Sequence, residues 1–311
     1  MEILEKDLQI AEQNKSSRRA AILMGGAALA GLALTRKAEA QYQGATLDNA
    51  LLNFALNLEF LEAQYYTLAT QGKTIDQVGS KITGNNGATG GAAVTPGAVI
   101  VKPTGPASCL VPFTTPLLQQ FANEVAQDER NHVAYLQNAL PSISIAMPTI
   151  DLYNSFNALA AAAGLGASFD PFASEANFLL GAFIFEDVGV TAYAGAAGLI
   201  SSSTILDAAA GIMAVEAYHA GAIRTAIYGL GATEQAASQK IATFRSAFDG
   251  TGTDDIGVGT NSAGAATIVD ADSNAIVFSR TTAQVLPLLY VTSTGAKAGG
   301  FFPSGLNGSI A

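Results

Sequence analysis

The sequence predicts an all-α protein: a four-helix bundle with a long crossover, a long insertion between helices one and two, and a C-terminal appendage of irregular and β-hairpin structure. Three observations predict it. Four long segments, about 46–70, 114–139, 172–199 and 204–228, repeat apolar residues at intervals of three and four. The two histidines of the chain each follow a glutamate by three residues, in Glu129-Arg130-Asn131-His132 and Glu216-Ala217-Tyr218-His219. Glutamates also stand in the middle of the other two segments, at Glu59 and Glu186. On a helix, positions i and i+3 share a face, so each Glu-x-x-His pair points a carboxylate and an imidazole the same way. Two such pairs, with one glutamate from each of two further helices, form the ligand set of a carboxylate-bridged two-metal site inside a bundle.

Totals support this and exclude other classes. A chain of 311 residues that is 49% hydrophobic and 13% charged can bury a large core. Its formal charge of −10 argues against nucleic acid, which demands clustered Lys and Arg, and suits a protein that attracts cations. A single cysteine, Cys109, excludes an intrachain disulfide and a thiolate metal cluster.

The first forty residues read as a leader. A polar stretch ends in Ser16-Ser17-Arg18-Arg19, an apolar run follows from Ala20 to Thr35, and Ala38-Glu39-Ala40 offers a small-x-small cleavage site. The paired arginines and the weakly hydrophobic run resemble a twin-arginine signal. The run is shorter than the ~20 residues of a membrane span, so the expected contact with membrane is through export alone. Cleavage would leave Gln41 at the start of a periplasmic or extracellular protein. Residues 41–250 then form the bundle, and residues 251–311 the appendage.

In the first helix, Leu47, Leu51, Phe54, Leu58, Leu61 and Tyr65 make the apolar face, and Gly72 ends it. That face also carries Glu59 and Glu62. Residues 72–113 are rich in Gly, Thr, Ala and Pro and read as an insertion with a short strand near 98–101. Thr114 or Thr115 caps the second helix, Pro116 enters its first turn and Pro141 stops it. A short crossover helix follows Asp151. The third helix has an almost wholly apolar centre, from Phe178 to Phe185, interrupted by Glu186 and Asp187. Charge there is costly unless it is paired or bound to metal. The fourth helix surrounds Glu216 and His219 with Ile212, Met213, Val215, Ile223 and Ile227. A fifth helix spans about 233–248. Beyond it, Asp270 to Asn274 reads as the turn of a hairpin, 281–290 as a last short helix, and Phe301-Phe302-Pro303 as a segment docked on the bundle.

The chain repeats itself. Glu59 precedes Tyr66 by seven residues, and Glu186 precedes Tyr193 by seven; each is followed by a Glu-x-x-His pair. The alignment places Glu62 opposite Gly189, which ranks Glu59 as the ligand and Glu62 as its neighbour. The expected metal ligands are therefore Glu59, Glu129, His132, Glu186, Glu216 and His219, with Glu129 and Glu216 bridging. Oxygen and imidazole donors suit two divalent ions, Fe or Mn, with Zn as a further occupant. Glu62, Tyr66 and Tyr193 are expected to support the ligand carboxylates. Each histidine needs an acceptor for its other ring N–H, and Asp128 and Asp187 are both candidates.

Four stretches carry a family resemblance: 52–62 (LNFALNLEFLE), 185–193 (FEDVGVTAY), 280–286 (RTTAQVL) and 299–303 (GGFFP). With the Glu-x-x-His pairs, they resemble the ferritin-like superfamily, which includes bacterioferritin, rubrerythrin and manganese catalase. More narrowly, the chain looks like exported ferritin-like domain proteins related to plant desiccation-related proteins. The resemblance covers about residues 46–306 and implies a two-metal four-helix bundle. The insertion and appendage depart from compact ferritins and weigh against a hollow storage shell. Three functions follow as expectations: an exported redox protein whose partners are metal ions and O2 or peroxide; a non-catalytic stress or surface protein with a structural metal site; and an iron-binding or storage protein. A homo-oligomer is compatible with each.

Overall fold

The computed structural model describes residues 47–85, 93–252, 254–292 and 295–310. The leader, residues 1–40, lies outside them. Among the described residues there are seven α-helices and one two-stranded sheet: α1 (Leu47–Gln71), β1 (Val99–Ile100), α2 (Pro116–Ala139), β2 (Ile150–Asp151), α3 (Asn154–Ala162), α4 (Glu175–Ala197), α5 (Ser203–Leu230), α6 (Ala232–Phe248) and α7 (Thr282–Tyr290). The bundle is α1, α2, α4 and α5. Helices α1 and α2 pack along each other, as do α4 and α5, and α1 meets α4 to join the pairs.

Local chemistry sets the helix ends. Ser174 caps α4 by accepting from the Asn177 N–H, and Ser202 caps α5 by accepting from Ile205. Pro116 opens α2, where its missing N–H is harmless. Thr281 and Gln284 form a capping box on α7. Side chains also tie the pairs together at their ends. Glu175 accepts from Thr115 N at 2.6 Å and Oγ1 at 2.9 Å. Asp48 accepts from Ser201 and Ser202 ahead of α5.

Helix α4 is the axis of the core. Every residue from Phe178 to Thr191 is buried. Among the described residues it is the one helix long and apolar enough to cross a membrane, and 83% of its most apolar window is buried inside the protein. Its glycines mark close approaches. A methyl group on Gly195 would collide with the backbone of Arg280, where the C-terminal segment crosses the helix.

The expected strand near 98–101 pairs in parallel with the crossover: Val99 lies opposite Ile150 and Ile100 opposite Asp151. The insertion is thus fastened to the bundle. The Asp151 carboxylate accepts from the N–H groups of Tyr153 and Asn154 at the start of α3. Phe301 and Phe302 are buried as expected; the Phe301 N–H donates to the Leu289 carbonyl, and its carbonyl accepts from the Asp151 N–H. The turn at 270–274 is closed by a single antiparallel bridge, Ala271 to Val277, and no strands extend from it. That segment is anchored by buried arginines instead of a ladder. Arg224 on α5 donates to the carbonyls of Ile256 and Ile268, and Arg280 pairs with Asp249 and Asp255.

Candidate metal centre

All six side chains singled out from the sequence meet at one point between the four bundle helices. Glu59 comes from α1, Glu129 and His132 from α2, Glu186 from α4, and Glu216 and His219 from α5. The four glutamates are 0–1% exposed, His132 is 8% and His219 is 4% exposed. They fall into two groups of four: Glu59, Glu129, His132, Glu216, and Glu129, Glu186, Glu216, His219. Within each group the potential ligand atoms lie within 4.8 Å of one another. Glu129 and Glu216 belong to both.

Each histidine turns Nδ1 inward. His132 Nδ1 lies 3.1 Å from Glu59 Oε2, 3.2 Å from Glu129 Oε2 and 3.4 Å from Glu216 Oε1. His219 Nδ1 lies 3.1 Å from Glu129 Oε1 and 3.4 Å from Glu186 Oε2. The two halves are nearly interchangeable, as the repeat requires.

The tyrosines act across the halves. Tyr66 donates to Glu186 Oε1, and Tyr193 donates to Glu59 Oε1. Each tyrosine of the repeat therefore steadies the glutamate of the other half, which the seven-residue spacing alone could not reveal. Glu62 is buried beside the cluster. A methyl on Gly189 would strike Glu216 Oε2 and sit 3.5 Å from Glu62 Oε1. The absent side chain of Gly189 is what makes room for the Glu216 carboxylate, and the pairing of Glu62 with Gly189 in the repeat is a proximity in space.

Of the two candidate acceptors for the histidines, one reaches. Asp128 Oδ2 is 3.3 Å from His219 Nε2. Asp187 instead turns to Arg224 and Arg245, both at 2.8 Å from its Oδ2. Arg224 and Arg245, which claim it, were not singled out from the sequence, and Arg280 stood there only as the first residue of the 280–286 stretch. Their signal was present: Arg224 sits between Ile223 and Ile227 on a helix face otherwise committed to the core.

The electrostatics are those of a carboxylate cluster short of positive charge. Burial pushes the Glu129 carboxyl up to about 7, against the pull of His132 and His219. Burial and the neighbouring Glu129 and Glu186 push Glu216 well above the carboxylate range, and burial with Glu216 does the same to Glu62. Glu59 is also raised by burial, but His132 outweighs it and holds the group below its usual value. Burial disfavours the imidazolium of His219, yet Glu186 and Glu129 overcome it and lift the pKa to about 12; His132 moves the same way under Glu59.

The donor set fits metal. Glu129 Oε1, Glu186 Oε2, both Glu216 oxygens and His219 Nδ1 are buried and make no aligned hydrogen bond, although His219 Nδ1 stands 3.1 Å from Glu129 Oε1. Buried polar atoms are ordinarily paired, and five orphans converging on one point call for a cation. Four carboxylates and two neutral imidazoles balance two divalent ions. Oxygen and nitrogen donors without thiolate favour Fe, Mn or Zn.

Fold and cluster together define a class: a four-helix bundle with a histidine–carboxylate centre repeated across its two halves. A family model for the ferritin-like domain matches residues 47–229. The chain belongs to the ferritin-like domain family. It is 28% identical over 279 residues to a desiccation-related protein, PCC13-62, of Craterostigma plantagineum, covering 84% of this chain and 83% of that one. It is 24% identical over 280 residues to the ferritin-like catalase Nec2 of Nesocodon mauritianus, covering 85% of each. No solved structure matches.

Proposed function

We propose that this chain is an exported two-metal protein that reacts with O2 or peroxide in protection against oxidative or desiccation stress. The observation that carries the reading is the pair of buried donor groups sharing Glu129 and Glu216, with their unpartnered oxygens. Glu59 and His132 would hold one end, Glu186 and His219 the other, and Glu129 and Glu216 both. A pair of Fe or Mn ions bound there would supply redox chemistry toward O2 or peroxide. The protein's own part is positioning and proton handling. Tyr66 and Tyr193 fix the outer glutamates, and Asp128 orients His219. Glu62 holds a proton at the edge of the cluster, where burial and Glu216 favour its neutral form. The apolar walls of α1 and α4 keep bulk water out. The similarity to a protein named as a ferritin-like catalase supports peroxide as substrate.

A second reading, a structural metal site in a non-catalytic stress protein, is supported by the similarity to a desiccation-related protein. One experiment separates them. Metal content is measured by mass spectrometry on protein from its own host, and peroxide and O2 consumption are then assayed. Two Fe or Mn per chain with turnover supports the first reading. Two metals without turnover supports the second, and a metal-free chain ends both. The leader reading is checked on the same sample: its mature N-terminus should be Gln41.

A further inference from the structure

On the outer side of α5 lies a second feature. A cleft of about 230 Å³ is enclosed by α4, α5 and the segment 268–277. None of the six clustered residues lines it. Val190, Met213, Ile268 and Val277 make its walls apolar, and one end carries Asp187, Arg224 and Asp270.

Gly221, in the interior of α5, lines the cleft; a methyl there would meet nothing within 4 Å, as at Gly211 and Gly229 of the same helix, so it leaves room without marking a site. The observation that marks a site and not a packing fault is Asp270. Its side chain is 8% exposed. Oδ1 accepts from the Ile256 N–H at 3.1 Å, but Oδ2 has no hydrogen-bond partner. The nearest cation, Arg224 Nη1, is 3.8 Å away, beyond hydrogen-bond range. That guanidinium is already engaged by Asp187 at 2.8 Å and by the Ile256 carbonyl at 2.7 Å.

The charge count agrees. Four acids of this buried network, Asp187, Asp249, Asp255 and Asp270, face three arginines, Arg224, Arg245 and Arg280. Burial and Asp187 push the Asp270 carboxyl up to about 8, as expected of a carboxylate short of a positive partner.

We propose that this cleft binds a small organic ammonium, with its apolar body against α4 and α5 and its charged group at the Asp270 end, where the buried Oδ2 lacks a hydrogen-bond partner. A bare metal ion fits less well, because Asp187 and Asp255 are held by arginines and the remaining walls are apolar. An anion would face uncompensated acid.

The test is isothermal titration of the full chain with three probes sharing one apolar body: isopentylammonium, isopentanol and isovalerate. The ammonium should bind saturably, the alcohol at least about tenfold more weakly, since a charge-assisted hydrogen bond is lost, and isovalerate not at all. Asp270→Asn should bring the ammonium down to the level of the alcohol. Gly221→Leu should fill the cleft and abolish binding while keeping or raising Tm, and it serves if Asp270→Asn does not fold. The proposal is overturned if the ammonium does not saturate, if all three probes bind alike, or if binding survives Asp270→Asn or Gly221→Leu.

Discussion

Single side chains decide the chemistry of the centre, and their protonation sets its response to pH. Before loading, Glu129 keeps a proton up to about pH 7, well above an ordinary glutamate, because burial disfavours its charge. A metal ion must displace that proton. Affinity should therefore fall as pH drops, by up to about tenfold per pH unit for each proton displaced: the imidazole protons of His132 and His219 compete above neutrality, and the Glu129 proton steepens the loss below about 7. Loading in weak buffer should acidify the solution, and titrations at several pH values that show no steepening below about 7 would contradict the assignment of Glu129 as a shared ligand. Asp128→Asn should weaken metal binding by about 10–100-fold, because the remaining amide no longer accepts the His219 N–H as a carboxylate does. Replacement of Asp187 should act on stability instead. The six clustered residues were legible in the sequence because both histidines of the chain stand in Glu-x-x-His pairs. The cross-half tyrosine bonds were not: spacing gives the face of a residue but not which helix it reaches across the bundle.

At the scale of elements, the helices follow from apolar spacing, cap residues and breakers, and α1, α2, α4 and α5 lie within a few residues of where the sequence puts them. The appendage was less legible. Its stability comes from ion pairs between residues far apart in the chain, which leave no local period. Arg280 shows this best. It donates to Asp249 Oδ2 at 2.7 Å and to Thr191 Oγ1 at 2.8 Å, and it pairs with Asp255. Those carboxylates are 0–1% exposed. Arg280→Ala would strand the buried Asp249 and leave Asp255 to Arg245 alone, a loss of about 3–5 kcal/mol. Thermal unfolding should show a drop on the order of 10 °C. A near-neutral Arg280→Ala would mean that the appendage is held by its apolar contacts alone.

Over the whole molecule, the bundle encloses five glutamates, Glu59, Glu62, Glu129, Glu186 and Glu216, around two histidines. A fold that concentrates acid in its core is stabilised by any cation that binds there and not to the unfolded chain. Chelation should lower Tm, with about 4 kcal/mol at stake when free metal exceeds its Kd a thousandfold, and readdition of metal should restore it. Chelation that leaves Tm unchanged would argue that the cluster is balanced by protons. The most direct measurement is anomalous diffraction at the Fe and Mn absorption edges from crystals of protein purified from its own host. Two peaks inside the bundle are expected, one beside each histidine Nδ1 and both bordered by Glu129 and Glu216. Absence of peaks there, or a single peak away from the two imidazoles, would contradict a two-metal centre in this protein.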